Sequence, residues 1–72
     1  MQRQNVTSST VASIGYYEID QILEVEFKNK VAPIIYHYFD VPKEVYQKMM
    51  DSASVGKFVH ENIKDKYVYG RI

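Results

Sequence analysis

The stretch Gln21-Ile22-Leu23-Glu24-Val25-Glu26-Phe27-Lys28 carries the strongest structural signal in the chain. Leu23, Val25 and Phe27 alternate with Glu24, Glu26 and Lys28. A period of two sends apolar side chains to one face of an extended chain and charged ones to the other, the pattern of a half-buried strand. On this reading Glu24 and Glu26 share a solvated face, where like charges also discourage aggregation at a sheet edge. With Glu18 and Asp20 they give residues 18–26 a net charge of −4.

Upstream, residues 11–17 place Ile14 and Tyr16 on one side of a second alternation and Ser13, Gly15 and Tyr17 on the other. Downstream, Asn29-Lys30 offers turn chemistry, because Asn tolerates a left-handed backbone. Pro33 suits the start of a strand, since it cannot donate to a ladder. Residues 34–39 then read Ile-Ile-Tyr-His-Tyr-Phe, a third strand. Short connections between the three predict an antiparallel meander.

Asp40-Val41-Pro42 ends the sheet, and Pro42 has the backbone angle of a first helical turn. Val45, Tyr46, Met49, Met50 and Ala53 follow at three- and four-residue spacings, one apolar stripe. Ser54 is a natural N-cap for a second helix over residues 55–65, with Val55, Phe58, Val59 and Ile63 as its apolar positions. Gly56 is expected to permit close packing against the first helix. The tail Tyr67-Val68-Tyr69-Gly70-Arg71-Ile72 is β-like but short, an optional C-terminal strand. The expected class is α+β: a three-stranded antiparallel meander followed by two helices packed on one face, with residues 1–9 frayed.

The chain has 72 residues, 9 basic and 9 acidic, with no Cys and no Trp. That length sets one domain, whose modest core leaves dense packing or oligomerisation as the means of support. Without cysteine there is no disulfide and no thiolate metal site. Neutral charge argues against a polybasic nucleic-acid binder. No run approaches the roughly 20 apolar residues of a membrane span, and the N-terminus lacks the apolar stretch of a signal peptide. A cytoplasmic protein is expected, with no membrane partner.

Taken together, Ser8-Ser9, Val11, Ile14-Gly15-Tyr16, Leu23-x-Val25-x-Phe27, Tyr36-x-Tyr38, Val41-Pro42 and Tyr46 form an ordered pattern. It continues through Ala53-Ser54-x-Gly56, Phe58, Ile63, Tyr67-x-Tyr69 and Arg71-Ile72. This pattern resembles the KTSC family, named for the C-terminal domain of some lysyl-tRNA synthetases and also found as a stand-alone protein. The segment Asn29-Lys30-Val31-Ala32-Pro33 departs from it by length and by lacking an expected Gly, and Tyr17 stands where an acidic residue is expected. The resemblance implies one complete domain over residues 1–72, with RNA binding suggested by association with a synthetase.

The residues themselves carry no catalytic set. His37 and His60 are the only histidines and lie on different predicted elements, whereas zinc needs three or four convergent ligands. No phosphate-cradling glycine loop and no nucleophile with a base is visible, so neither an enzyme nor a cofactor or metal site is expected. Charge is nevertheless polarised. Lys57, Lys64, Lys66 and Arg71 against Glu61 and Asp65 leave residues 57–72 at +2. Interleaved with Tyr69, these basic residues are candidates to bind RNA or a nucleotide; a solvated helix face with a packed tail would look the same. Tyr36 and Tyr38 are expected in the core. Tyr17, His37 and Phe39 are then the candidate surface for a protein partner or a homo-oligomer.

Overall fold

In a computed structural model that describes residues 3–72, the alternating stretch becomes the middle strand of a five-stranded antiparallel sheet. In chain order the elements are β1 (Gln4–Asn5), β2 (Val11–Tyr17), β3 (Ile22–Phe27), β4 (Ile34–Tyr38), α1 (Lys43–Met50), α2 (Val55–Phe58) and β5 (Tyr69–Arg71). A π-helical segment, Val59–Ile63, continues α2 directly. Strand order follows chain order, β1-β2-β3-β4-β5.

The α+β class stands, while the sheet has five strands where the sequence predicts a three-stranded meander. One addition is the optional C-terminal strand, with Tyr69 opposite Tyr38 and Arg71 opposite Tyr36. The other is β1, which lies in the stretch expected to fray and pairs Gln4 with Ile14 and Asn5 with Ser13. Two polar residues carry no hydrophobic periodicity, so such a strand has no signature of its own; an adjacent ladder and the Arg3 side chain hold it. Met1 and Gln2, the start of the expected frayed end, lie outside the described residues.

Register gives the two sheet faces different chemistry. Val25 sits opposite Ile14 and Tyr36, and Leu23 opposite Tyr16 and Tyr38. Ile14, Leu23, Val25 and Tyr38 are buried together with Val41, Met49, Val55, Val59 and Ile63, so the helical half of the chain covers this face. The opposite face carries Glu24, opposite Gly15 and His37.

The first helix begins one residue later than the sequence suggests, with Pro42 at the N-cap in an extended conformation. It also stops at Met50, before Ala53. Ser54 caps α2 as expected, its Oγ accepting the Lys57 N–H at 3.3 Å. The wide turn that follows is closed by Lys64 N–H donating to the Val59 carbonyl at 2.8 Å. Between β3 and β4, Asn29 supplies turn chemistry through its side chain, which accepts the Val31 N–H at 2.9 Å, and not through a left-handed backbone.

Among the described residues, those with a left-handed backbone are Gln21 (φ 55°) and Asp40 (φ 57°). They flank a tertiary hydrogen bond from Val41 N–H to the Gln21 carbonyl, 2.9 Å, which ties the β2–β3 turn to the start of the helical half. A left-handed L-residue costs roughly 1–2 kcal/mol, which glycine avoids at a smaller entropic cost. Gln21→Gly is therefore expected to raise stability by about 0.5–1 kcal/mol, read as an upward shift of the urea midpoint. A loss of stability would show that the Gln21 side chain matters more than its backbone.

Candidate ligand-binding site

On the face away from the helices, alternation brings Glu24 up between two basic side chains. The Glu24 carboxylate accepts from Arg3 Nη1 at 2.5 Å and lies 2.7 Å from His37 Nε2. Arg3 also donates through Nε to Ser13 Oγ at 2.9 Å, and Ser13 donates to Glu26 at 2.7 Å. Glu24 is only 7% exposed, so its expected solvated position is corrected: neighbouring side chains roof it over on a face that no helix covers. Burial pushes its carboxyl up, but hydrogen bonds and charge from His37 and Arg3 outweigh that and hold it below the ordinary carboxylate value. Arg3 is raised in turn, chiefly by its bond to Glu24.

Tyr17, His37 and Phe39 come together around this carboxylate. Tyr17 meets His37 edge-on at 5.9 Å between ring centroids, and His37 meets Phe39 at 6.4 Å. Tyr17 and His37 are partly covered, whereas Phe39 is exposed.

A second site forms at one end of the helical side. Val11 is opposite Phe27, and Lys28 N–H donates to the Thr10 carbonyl at 2.9 Å, which fixes the Ser8–Ser9–Thr10 turn beside Phe27. Ser8 Oγ accepts the N–H groups of Thr10 (3.2 Å) and Val11 (3.1 Å), holding the turn closed. Gly56 of α2 seats directly on it: a Cβ there would lie 2.6 Å from Thr10 Oγ1 and 2.7 Å from Ser8 Oγ. The close approach that this glycine permits is thus to the N-terminal turn and not to the first helix. The result is a cavity of about 470 Å³ lined by Ser8, Thr10, Phe27, Lys57, His60 and Lys64, among others. A smaller concavity, lined by Ser9, Lys28, Asn29 and Lys30, shares Ser9 with it.

Of the basic candidates read from the sequence, Lys57 and Lys64 therefore meet at one cavity, whereas Lys66, Tyr69 and Arg71 do not line it. Tyr69 instead packs against Tyr36 and Tyr38, with ring centroids 5.4 and 5.7 Å away. Sequence reasoning missed His60, Lys28, Lys30, Phe27 and the hydroxyls. His60 was within reach, because positions 57, 60 and 64 are spaced to share a helix face. The turn and the hairpin are brought there only by strand register. Among the described residues no group of three or more His, Cys, Asp or Glu is placed to hold a metal ion, and no helix is long and apolar enough to cross a membrane.

Comparison with known proteins agrees with this architecture. The model of the KTSC domain family matches residues 7–67. An uncharacterized protein of Stutzerimonas stutzeri (strain A1501) is 38% identical over 73 aligned residues, spanning 100% of this chain and 99% of its own. A protein of Tsukamurella paurometabola is 33% identical over 64 residues, 89% of this chain and 91% of its own. Among solved structures, the crystal structure of a KTSC domain protein from Yersinia pestis superposes with a TM-score of 0.90 at 37% identity, covering 99% of this chain and 96% of that one.

Proposed function

The chain belongs to the KTSC domain family, and on that basis we propose that it is a non-enzymatic binding module for RNA or a nucleotide, acting through the cavity beside Gly56. The observation that supports this reading is the convergence of Lys57, Lys64 and His60 with hydroxyl groups and one aromatic wall, Phe27, around a single 470 Å³ space. Its size falls within the roughly 300–1,000 Å³ of small-ligand sites. Ammonium groups, hydroxyl donors and an apolar ring are the three kinds of contact that a phosphate, a sugar and a base require. Lys66, Tyr69 and Arg71 do not line the cavity, and this reading gives them no contact with the ligand.

The phosphate contribution is largest at low salt and falls as salt rises. Anisotropy titrations with single-stranded RNA are expected to show affinity that weakens steadily with ionic strength. Absence of binding even at low ionic strength would end this reading.

A second reading rests on the opposite face. Tyr17, His37 and Phe39 cluster there, apart from the cavity, and β5 with its flanking residues presents Val68, Tyr69 and Ile72 at an exposed edge. Aromatic clusters and open edges are both used by protein partners, including further copies of the same chain. Sedimentation at high concentration would show association under this reading and a monomer under the first.

A further inference from the structure

Resting on the reading of the cavity as a nucleotide site, we infer that it takes a terminal phosphate, a monoester at the end of an RNA strand, and that the Lys28–Lys30 concavity carries the strand onward. The first reason is charge. A phosphate monoester carries about −1.5 to −2 at neutral pH, whereas each internal diester of a strand carries a single negative charge. Lys57 and Lys64 bring two positive charges to the same cavity. That pairing suits a doubly charged terminus better than a single link of a chain.

The second reason is donor chemistry. Ser8 Oγ accepts two backbone N–H groups, so its remaining group is the O–H, which can turn to Thr10 Oγ1, 3.5 Å away, or to a ligand oxygen. Ser54 Oγ accepts the Lys57 N–H and is likewise left with a proton to give. Thr10 lines the same wall. A monoester presents three terminal oxygens, all strong acceptors. A wall of hydroxyl donors and ammonium groups matches such an acceptor, and the charges of Lys57 and Lys64 repel a cation.

The third reason is continuity. Ser9 lines both concavities, and Lys28 and Lys30 line the smaller one. Any strand leaving the cavity across Ser9 passes these lysines, which supply a backbone contact without an enclosing pocket. Phe27 also lines the larger cavity, where it offers a ring to the terminal base.

The test compares four probes: tetra-adenylate phosphorylated at its 5′ end, the same oligomer phosphorylated at its 3′ end, the unphosphorylated oligomer, and adenosine 5′-monophosphate. One of the phosphorylated oligomers is expected to bind at least about tenfold more tightly than the unphosphorylated one. Lys57→Ala or Lys64→Ala should erase that difference. Lys28→Ala with Lys30→Ala should weaken every oligomer several-fold and leave the mononucleotide unchanged. Lys48→Ala, at an exposed position of α1, serves as a control for charge alone and should change nothing. Equal binding of all three oligomers overturns the terminal-phosphate inference while leaving RNA binding intact. Mononucleotide binding that matches the oligomers, indifferent to Lys28 and Lys30, overturns the strand and leaves a free nucleotide as the ligand. Failure of all four probes at low ionic strength removes both this inference and the reading beneath it.

Discussion

Glu24→Ala is expected to lower stability by about 2–3 kcal/mol, far more than loss of any other carboxylate on its face of the sheet. Removing one member of a buried ion pair costs roughly 3–5 kcal/mol, because the partner is left charged and desolvated. Here the figure is reduced because the Arg3 side chain keeps 31% of its accessible surface and can recover some hydration. The loss has a structural consequence beyond energy. Arg3 precedes β1 and reaches across to Glu24 and Ser13, so its release also unties the two-residue strand from β2. Hydrogen exchange at Asn5 and Val6 should therefore accelerate in Glu24→Ala more than exchange in β3 itself.

The pH dependence has a definite sign. The folded-state value of Glu24 lies below its reference of 4.5, so its stabilisation is present above that pH and is lost as pH falls through the folded value. Glu24→Gln keeps the shape and removes the charge. The stability gap between wild type and Glu24→Gln should be full at neutral pH and close in acid. A gap that stays constant from neutral pH into acid would assign the effect to packing instead of charge. A Glu24→Ala protein within about 0.5 kcal/mol of wild type, the usual range for a surface change, would remove the network from the stability account altogether.

The same residue marks where sequence reading succeeds and where it stops. Alternation in residues 21–28 locates β3 and sorts its side chains between the two faces correctly, because period two is a local property of an extended chain. It cannot say whether the charged face is wet. That depends on Arg3, 21 positions away, and on His37, brought opposite Glu24 by register. The helices show the same division. Ser54 is legible as an N-cap because capping is local, whereas the wide turn at Val59–Ile63 has no local signal in a sequence that fits an ordinary helix equally well. The cavity is half legible. Lys57 and Lys64 share a helix face by spacing alone. Ser8 and Thr10 reach them only because the β2–β3 ladder sets their turn beside Phe27 and because Gly56 has no side chain to hold it off. Tyr69 misleads in the other direction: an aromatic in a basic tail reads as a stacking ring until strand pairing sets it beside Tyr36 and Tyr38.

Tyr38→Ala carries the largest expected effect in the chain. Tyr38 is 1% exposed, sits opposite Leu23 on β3 and Tyr69 on β5, and its ring lies 6.2 Å from that of Tyr36. Truncating a buried aromatic costs about 3–5 kcal/mol. A domain of this size has about 4–11 kcal/mol in all, at roughly 0.05–0.15 kcal/mol per residue, so the variant should lose between about a quarter and all of its stability. Tyr38→Phe keeps the ring and isolates the hydroxyl. Burial pushes the Tyr38 phenol up from 10.0 to about 12, with the neighbouring tyrosines Tyr36 and Tyr69 adding to the shift. A raised phenol stabilises the fold fully below pH 10, where both states are neutral at this position. That contribution is lost as pH rises from 10 toward about 12, where the unfolded chain ionises first. Wild type should accordingly lose stability steeply across that window, and Tyr38→Phe should lose much less. A residual slope is expected from Tyr16, also raised by its burial, whose hydroxyl donates to the Val41 carbonyl at 2.5 Å. Urea midpoints of the two proteins between about pH 9 and pH 12 decide the matter. Parallel curves would mean that the alkaline loss belongs to the other tyrosines and that the Tyr38 hydroxyl reaches water more freely than its ring does.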